Sequence, residues 1–232
     1  RLIPMAKKFI VLDVEGMSNK RPYNIGYIVA DRYGNIYKKR SIAILSAIIE
    51  NLNDCEQAKE MTHKNIIEIL HDIENEQRKY YYCSANVFKR LLFRDIEEFG
   101  VSEIWAYNCT FDKSALKRLL SDDFKKLEDK VAFYDIIPAI LYTKLLNKKY
   151  VMFCKVNGYV TQKGNVQYKA EYVYQYLTGK IDFVEEHTGL ADVMVEYEIL
   201  LTAFNTKKKI EKKCDQPWKV LKTFCEEKNI QF

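Results

Sequence analysis

The 232-residue sequence predicts an α/β protein built on a mixed five-stranded sheet flanked by helices. Three observations lead there. Residues 9–12, 23–30 and 35–44 are short runs rich in apolar, β-branched and aromatic side chains, the pattern of strands. Asp31-Arg32-Tyr33-Gly34, between the second and third runs, has the Asp and Gly of a tight hairpin turn, so the chain opens as a three-strand antiparallel meander. From residue 57 onward, segments with helix-spaced apolar residues alternate with strand-like runs, as expected of strands covered by helices.

Each element has its own signal. Phe9-Ile10-Val11-Leu12 reads as a buried central strand that runs into Asp13-Val14-Glu15 and stops at Gly16. Helices are expected over 57–77 (Ile66, Ile67, Ile69, Leu70, Ile73) and 84–98 (Val87, Leu91, Leu92, Ile96), the second ending at Gly100. Residues 102–107 form a fourth strand, followed by a helix over 112–120. A fifth short strand covers 131–134, closes on Asp135 and leads to a helix over 137–146. Residues 150–169, with Gly158 and Gly164, read as an irregular or hairpin excursion. Helices follow at 170–177, 188–204 and 218–228. One domain is expected over 5–206, with the basic segment and last helix, 207–232, packed on it. Residues 1–4, ahead of Met5, read as a cloning remnant or a loose arm.

Composition narrows the function. The chain is 48% hydrophobic and 30% charged, without a low-complexity tract, which excludes a disordered chain. No apolar run approaches the roughly 20 residues of a membrane span, so no membrane partner is expected and the cytoplasm is the expected setting. The six cysteines are scattered, with no pair at zinc-ligand spacing, and are expected to be reduced. A net charge of +5 is compatible with a polyanionic substrate.

Three short motifs carry chemistry. Asp13 and Glu15, two apart on a strand, point to one face. Two like charges 4 Å apart repel by about 4 kcal/mol at an effective dielectric near 20, an arrangement that invites a cation. In Tyr107-Asn108-Cys109-Thr110-Phe111-Asp112 the fourth strand gives way to a helix. Taken alone, Asp112 there is no more than a helix-dipole partner and Asn108 a turn former. In His187-Thr188-Gly189-Leu190-Ala191-Asp192 the five-residue spacing lets both side chains reach one site if His187 lies on the loop before the helix.

As an ordered set, Asp13-x-Glu15, Asn108-x-x-Phe111-Asp112 and His187-x4-Asp192 resemble the three-motif signature of the DEDDh 3′-to-5′ exonucleases, the DnaQ-like group of proofreading subunits and oligoribonucleases. Ile25-Gly26 on the second strand and Asp135 agree with it. Residue 188 is Thr, where the sister DEDDy group has a tyrosine. Gly16-Met17-Ser18 departs from the threonine-rich turn that often follows the first motif. The resemblance covers about residues 8–200 and implies a ribonuclease H-like fold.

It further implies that Asp13, Glu15, Asp112 and Asp192 bind two Mg²⁺ or Mn²⁺ ions, and that His187 takes a proton from the attacking water. All-oxygen ligands suit these hard ions better than zinc. Gly16, Met17, Asn108 and Phe111 are the implied contacts to the terminal nucleotide. The expected activity is metal-dependent removal of nucleoside 5′-monophosphates from 3′ ends of single-stranded nucleic acid, with DNA favoured over RNA. A polymerase or other replication or repair protein is the expected partner, as a separate chain. The alternatives are an RNA-trimming exoribonuclease of the same family and a nucleic-acid-binding scaffold that kept the fold without the chemistry.

Overall fold

The computed structural model describes residues 6–16, 21–53 and 60–230, so residues 1–4 and Met17 lie outside the described residues. The chain groups into two compact units, Arg1–Tyr134 with Glu186–Met194, and Asp135–Glu185 with Val195–Phe232. It is an α/β protein with a mixed six-stranded sheet and flanking helices.

In the first unit β1 (Lys8–Gly16), β2 (Pro22–Asp31) and β3 (Ile36–Ile44) form the expected antiparallel meander. Helices α1 (Leu45–Asn53) and α2 (Glu60–Glu74) precede β4 (Tyr81–Cys83) and α3 (Ala85–Phe99). Then come β5 (Glu103–Ala106), α4 (Cys109–Leu120), α5 (Asp123–Lys130) and β6 (Ala132–Asp135). The strand order is β4-β3-β2-β1-β5-β6, with β5 parallel to β1 and β4 parallel to β3. Every residue of β2 is buried, as expected of a strand with neighbours on both edges and cover on both faces. Ile10, Leu12, Ile25, Tyr27, Ile42, Phe88, Leu92 and Leu116 belong to one continuous core.

Local chemistry explains the main boundaries. Asp31 closes the β2–β3 hairpin: its carboxylate accepts from the Tyr33 and Asn35 amides, the Asn35 side chain and the Tyr37 hydroxyl, at 2.8, 3.2, 2.9 and 2.8 Å. Burial alone would raise this carboxyl, but the hydrogen bonds bring it below the usual carboxylate range. Helix α3 ends where Gly100 turns left-handed at φ 64°, a conformation glycine adopts without a Cβ clash. One bidentate ion pair ties α3 to the sheet. Arg40 on β3 donates from Nε and Nη2 to Asp95 at 2.8 and 3.0 Å, and the Tyr27 hydroxyl donates to the same carboxylate at 2.8 Å.

The expected sheet of five strands is corrected to six. β4 has three residues and runs along the sheet edge beside β3, too short to leave a period-two pattern in the sequence. Helices α1 and α5 were likewise not expected. α1 follows β3 directly, with no turn residue between them to mark its start.

The second unit is largely helical. It holds α6 (Ile136–Ile140), continued by a π-helical turn over Leu141–Leu145, then α7 (Lys148–Val156), α8 (Ala170–Thr178) and α10 (Pro217–Glu227). Helix α9 (Gly189–Phe204) begins in the first unit and continues in the second. α7 replaces the first part of the expected irregular stretch, up to Val156, while a Val160–Val166 bridge keeps its hairpin character. An aromatic cluster packs here, with the Tyr159 and Tyr172 rings stacked at 3.9 Å. Cys83, Cys109, Cys154 and Cys225 are buried and form no disulfide. No helix among the described residues is long and apolar enough to cross a membrane.

The Arg40–Asp95–Tyr27 contact predicts an acid-dependent stability difference. Burial raises the Asp95 carboxyl, and the Arg40 and Tyr27 hydrogen bonds outweigh it, so its pKa in the folded protein lies below the usual value. Its stabilisation is therefore complete above the unfolded value near 3.9 and is lost as pH falls through the lower folded one. Asp95→Asn is expected to cost about 3–5 kcal/mol at neutral pH. In urea melts the gap between wild type and variant should narrow below about pH 4; a constant gap would contradict it.

Candidate metal centre

The site is assembled at the end of β1. In the antiparallel register Asp13 lies opposite Gly26 and Glu15 opposite Asn24, so all four share one face of the sheet. On that face the chain makes a backbone-on-backbone contact. A Cβ added to Gly26 would stand 2.0 Å from the carbonyl carbon of Gly189, and one added to Gly189 would stand 2.4 Å from the Gly26 nitrogen. No side chain fits at either position, and the first turn of α9 therefore lies directly on β2.

Two buried amides lock this approach. Asn24 accepts from the Gly189 N–H at 2.7 Å and donates to the Ile42 carbonyl at 2.9 Å, bridging α9, β2 and β3. Asn65 on α2 donates to the His187 carbonyl and to the Tyr23 hydroxyl. His187 itself sits at φ 56°, left-handed for a non-glycine residue, in the loop two residues before α9. Histidine is among the residues that tolerate this region best. His187 thus lies on the loop ahead of the helix, the condition that the five-residue spacing sets, and Asp192 falls in the first turn.

Glu15, His187 and Asp192 converge, with one ligand atom from each lying within 4.8 Å of the others. Glu15 and His187 are half-buried and Asp192 is buried. Burial pushes the Glu15 carboxyl up to about 7, partly opposed by its hydrogen bond with Asp192. A hydrogen bond between two carboxyl groups requires a proton on one of them.

Asp112 reaches the same strand from the other side. β5 pairs with β1 only at Ile10 and Val11, leaving the later amides of β1 without a strand neighbour there. The Val14 N–H donates instead to the buried Asp112 carboxylate at 3.0 Å. Helix α4 begins at Cys109, three residues earlier than expected, with Asn108 left-handed at φ 60° just before it. Asp112 and Asp192 both occupy first turns, where the helix dipole favours negative charge. Asn108 is exposed, Phe111 half-buried, and Gly16 ends β1 beside a register shift opposite Pro22.

The trio offers two carboxylate oxygens and one imidazole nitrogen, a donor set that could hold a divalent metal ion. Asp13 lies outside that tight trio, two residues from Glu15 on the same face. Among the described residues, Asp13 Oδ2 and Asp192 Oδ1 are buried oxygens that accept no hydrogen bond, although both side chains make other contacts. No protein-family model and no curated protein matches this chain.

Sequence reasoning missed Asn24, Asn65 and the role of Gly189. Their side-chain chemistry is ordinary, and only the long-range contact makes them part of the site. Gly26 was noticed, but not its reason, the absence of room for a Cβ.

Mn²⁺ is expected to raise the melting temperature, because it binds the folded state only, and chelator should reverse the shift. Glu15→Gln and Asp192→Asn should each remove most of the response, whereas Glu74→Gln, exposed at the end of α2, should keep it. A shift unchanged in both site variants would place the ion elsewhere.

Proposed function

We propose that the protein is a metal-dependent 3′-to-5′ exonuclease of the DEDDh type on a ribonuclease H-like fold. The observation that carries this reading is the convergence of Glu15, His187 and Asp192 from a strand end, a loop and a helix first turn. An antiparallel meander joined to a parallel strand supports the fold assignment, as does the order of the three motifs along the chain.

Asp13, Glu15, Asp112 and Asp192 would hold two Mg²⁺ or Mn²⁺ ions. When bound, these lower the pKa of an attacking water and offset the charge that develops on the leaving 3′ oxygen. His187 accepts the water's proton at a ring nitrogen, and the Asn65 contact to its carbonyl fixes the loop from which the ring projects. Asp112 also holds the strand carrying Asp13 and Glu15 in register through the Val14 amide. Gly16, at the end of β1, and Asn108 and Phe111, at the start of α4, would contact the terminal nucleotide. Single-stranded DNA is the favoured substrate, released as nucleoside 5′-monophosphates, in a cytoplasmic setting alongside a separate replication or repair protein.

On a 5′-end-labelled oligonucleotide the wild-type protein should give a ladder of single-nucleotide steps with Mg²⁺ or Mn²⁺ and none with chelator. Asp13→Ala or Asp192→Ala should abolish it, and His187→Ala should slow it about 10²–10⁴-fold. Wild-type turnover by purified Asp13→Ala protein would overturn the assignment. A wild-type protein inactive with both ions would favour a binding or scaffold role, and faster cleavage of matched RNA would reverse the substrate preference.

A further inference from the structure

The net charge is not shared evenly. The first unit has 22 Lys and Arg against 22 Asp and Glu, while the second has 15 basic residues against 10 acidic ones, so the whole excess of +5 falls in the second unit. All 15 are lysines, point charges that suit phosphate contacts without base selection.

Within that unit, Trp218 at the start of α10 borders a cleft of about 150 Å³ together with Lys163, Leu221, Lys222 and Glu226. Its ring is held in the open: Trp218 is 45% exposed, whereas Trp105 is 1% exposed. The Lys219 ammonium lies 5.4 Å from the Trp218 ring centroid. Glu226 approaches Lys222 at 3.8 Å, both side chains more than half exposed, so this pair is screened by water and easily exchanged. An exposed indole with an apolar floor and three lysines around it combines a stacking surface with phosphate partners, the two components of single-strand binding.

We propose that the Trp218 cleft binds one base of a single-stranded nucleic acid by stacking, with Lys163, Lys219 and Lys222 meeting the neighbouring phosphates. This rests on the nucleic-acid reading given above, and gives the second unit a substrate-binding role of its own.

Titration of the whole protein with oligothymidylate, in chelator so that no hydrolysis occurs, tests it by tryptophan emission and by anisotropy of a labelled strand. Saturable quenching of the exposed indole is expected, with the buried Trp105 emission unchanged. Trp218→Ala should weaken binding about tenfold, and Trp218→Phe should restore most of it. Lys163→Ala with Lys222→Ala should reduce the salt slope of log K by about 1.4. Binding without quenching, or Trp218→Ala binding as tightly as wild type, would overturn the inference, as would a duplex bound as well as the single strand. Quenching by a wild-type protein that hydrolyses nothing would remove the nuclease reading and leave this one; hydrolysis without quenching would do the reverse.

Discussion

The contact on which the candidate site depends is the approach of two glycines. Gly26 and Gly189 are 163 positions apart, yet their backbones meet so closely that neither leaves room for a Cβ. That approach delivers the loop carrying His187 and the helix turn carrying Asp192 onto the sheet face presented by Asp13 and Glu15. A methyl group at either position would have to displace backbone, which close-packed interiors resist. The Asn24 bridge adds direction to proximity, because its amide satisfies one N–H at the start of α9 and one carbonyl of β3 at once.

The electrostatics of the site follow from this geometry. Glu15 and Asp192 come close enough to share a hydrogen bond, and burial raises the Glu15 carboxyl into the neutral range. Such an arrangement is costly unless a proton or cation stands between the groups. Elsewhere the protein settles its buried carboxylates differently. Asp95 has a guanidinium and a phenol, and Asp31 has four hydrogen-bond donors. The contrast sets the β1 end apart from carboxylates that serve structure alone.

The second unit differs in kind. Its excess charge is basic and its tyrosines pack together, while the first unit is electrically balanced and carries Asp13, Glu15, Asp112 and Asp192. Arginine, which would favour bidentate recognition of particular groups, is absent from its sequence.

Much of the first unit was legible in the sequence because its signals are local. Alternating and β-branched runs marked β1, β2 and β3, Asp31 marked their turn, and Gly100 marked the end of α3. The carboxylate pair on β1 was legible because a strand's period of two puts Asp13 and Glu15 on one face whatever the rest of the fold does. β4, α1 and α5 were not, since a three-residue edge strand, a helix fused to a strand and a mostly charged helix carry weak periodicity. The sequence by itself determined the chemistry available: which residues can bear charge, take a proton or bind a hard ion. Only the tertiary structure decided which of them meet, because the Gly26–Gly189 approach and the Asn24 and Asn65 bridges join segments distant in the chain. No local pattern encodes such contacts, for they depend on how the sheet and helices pack.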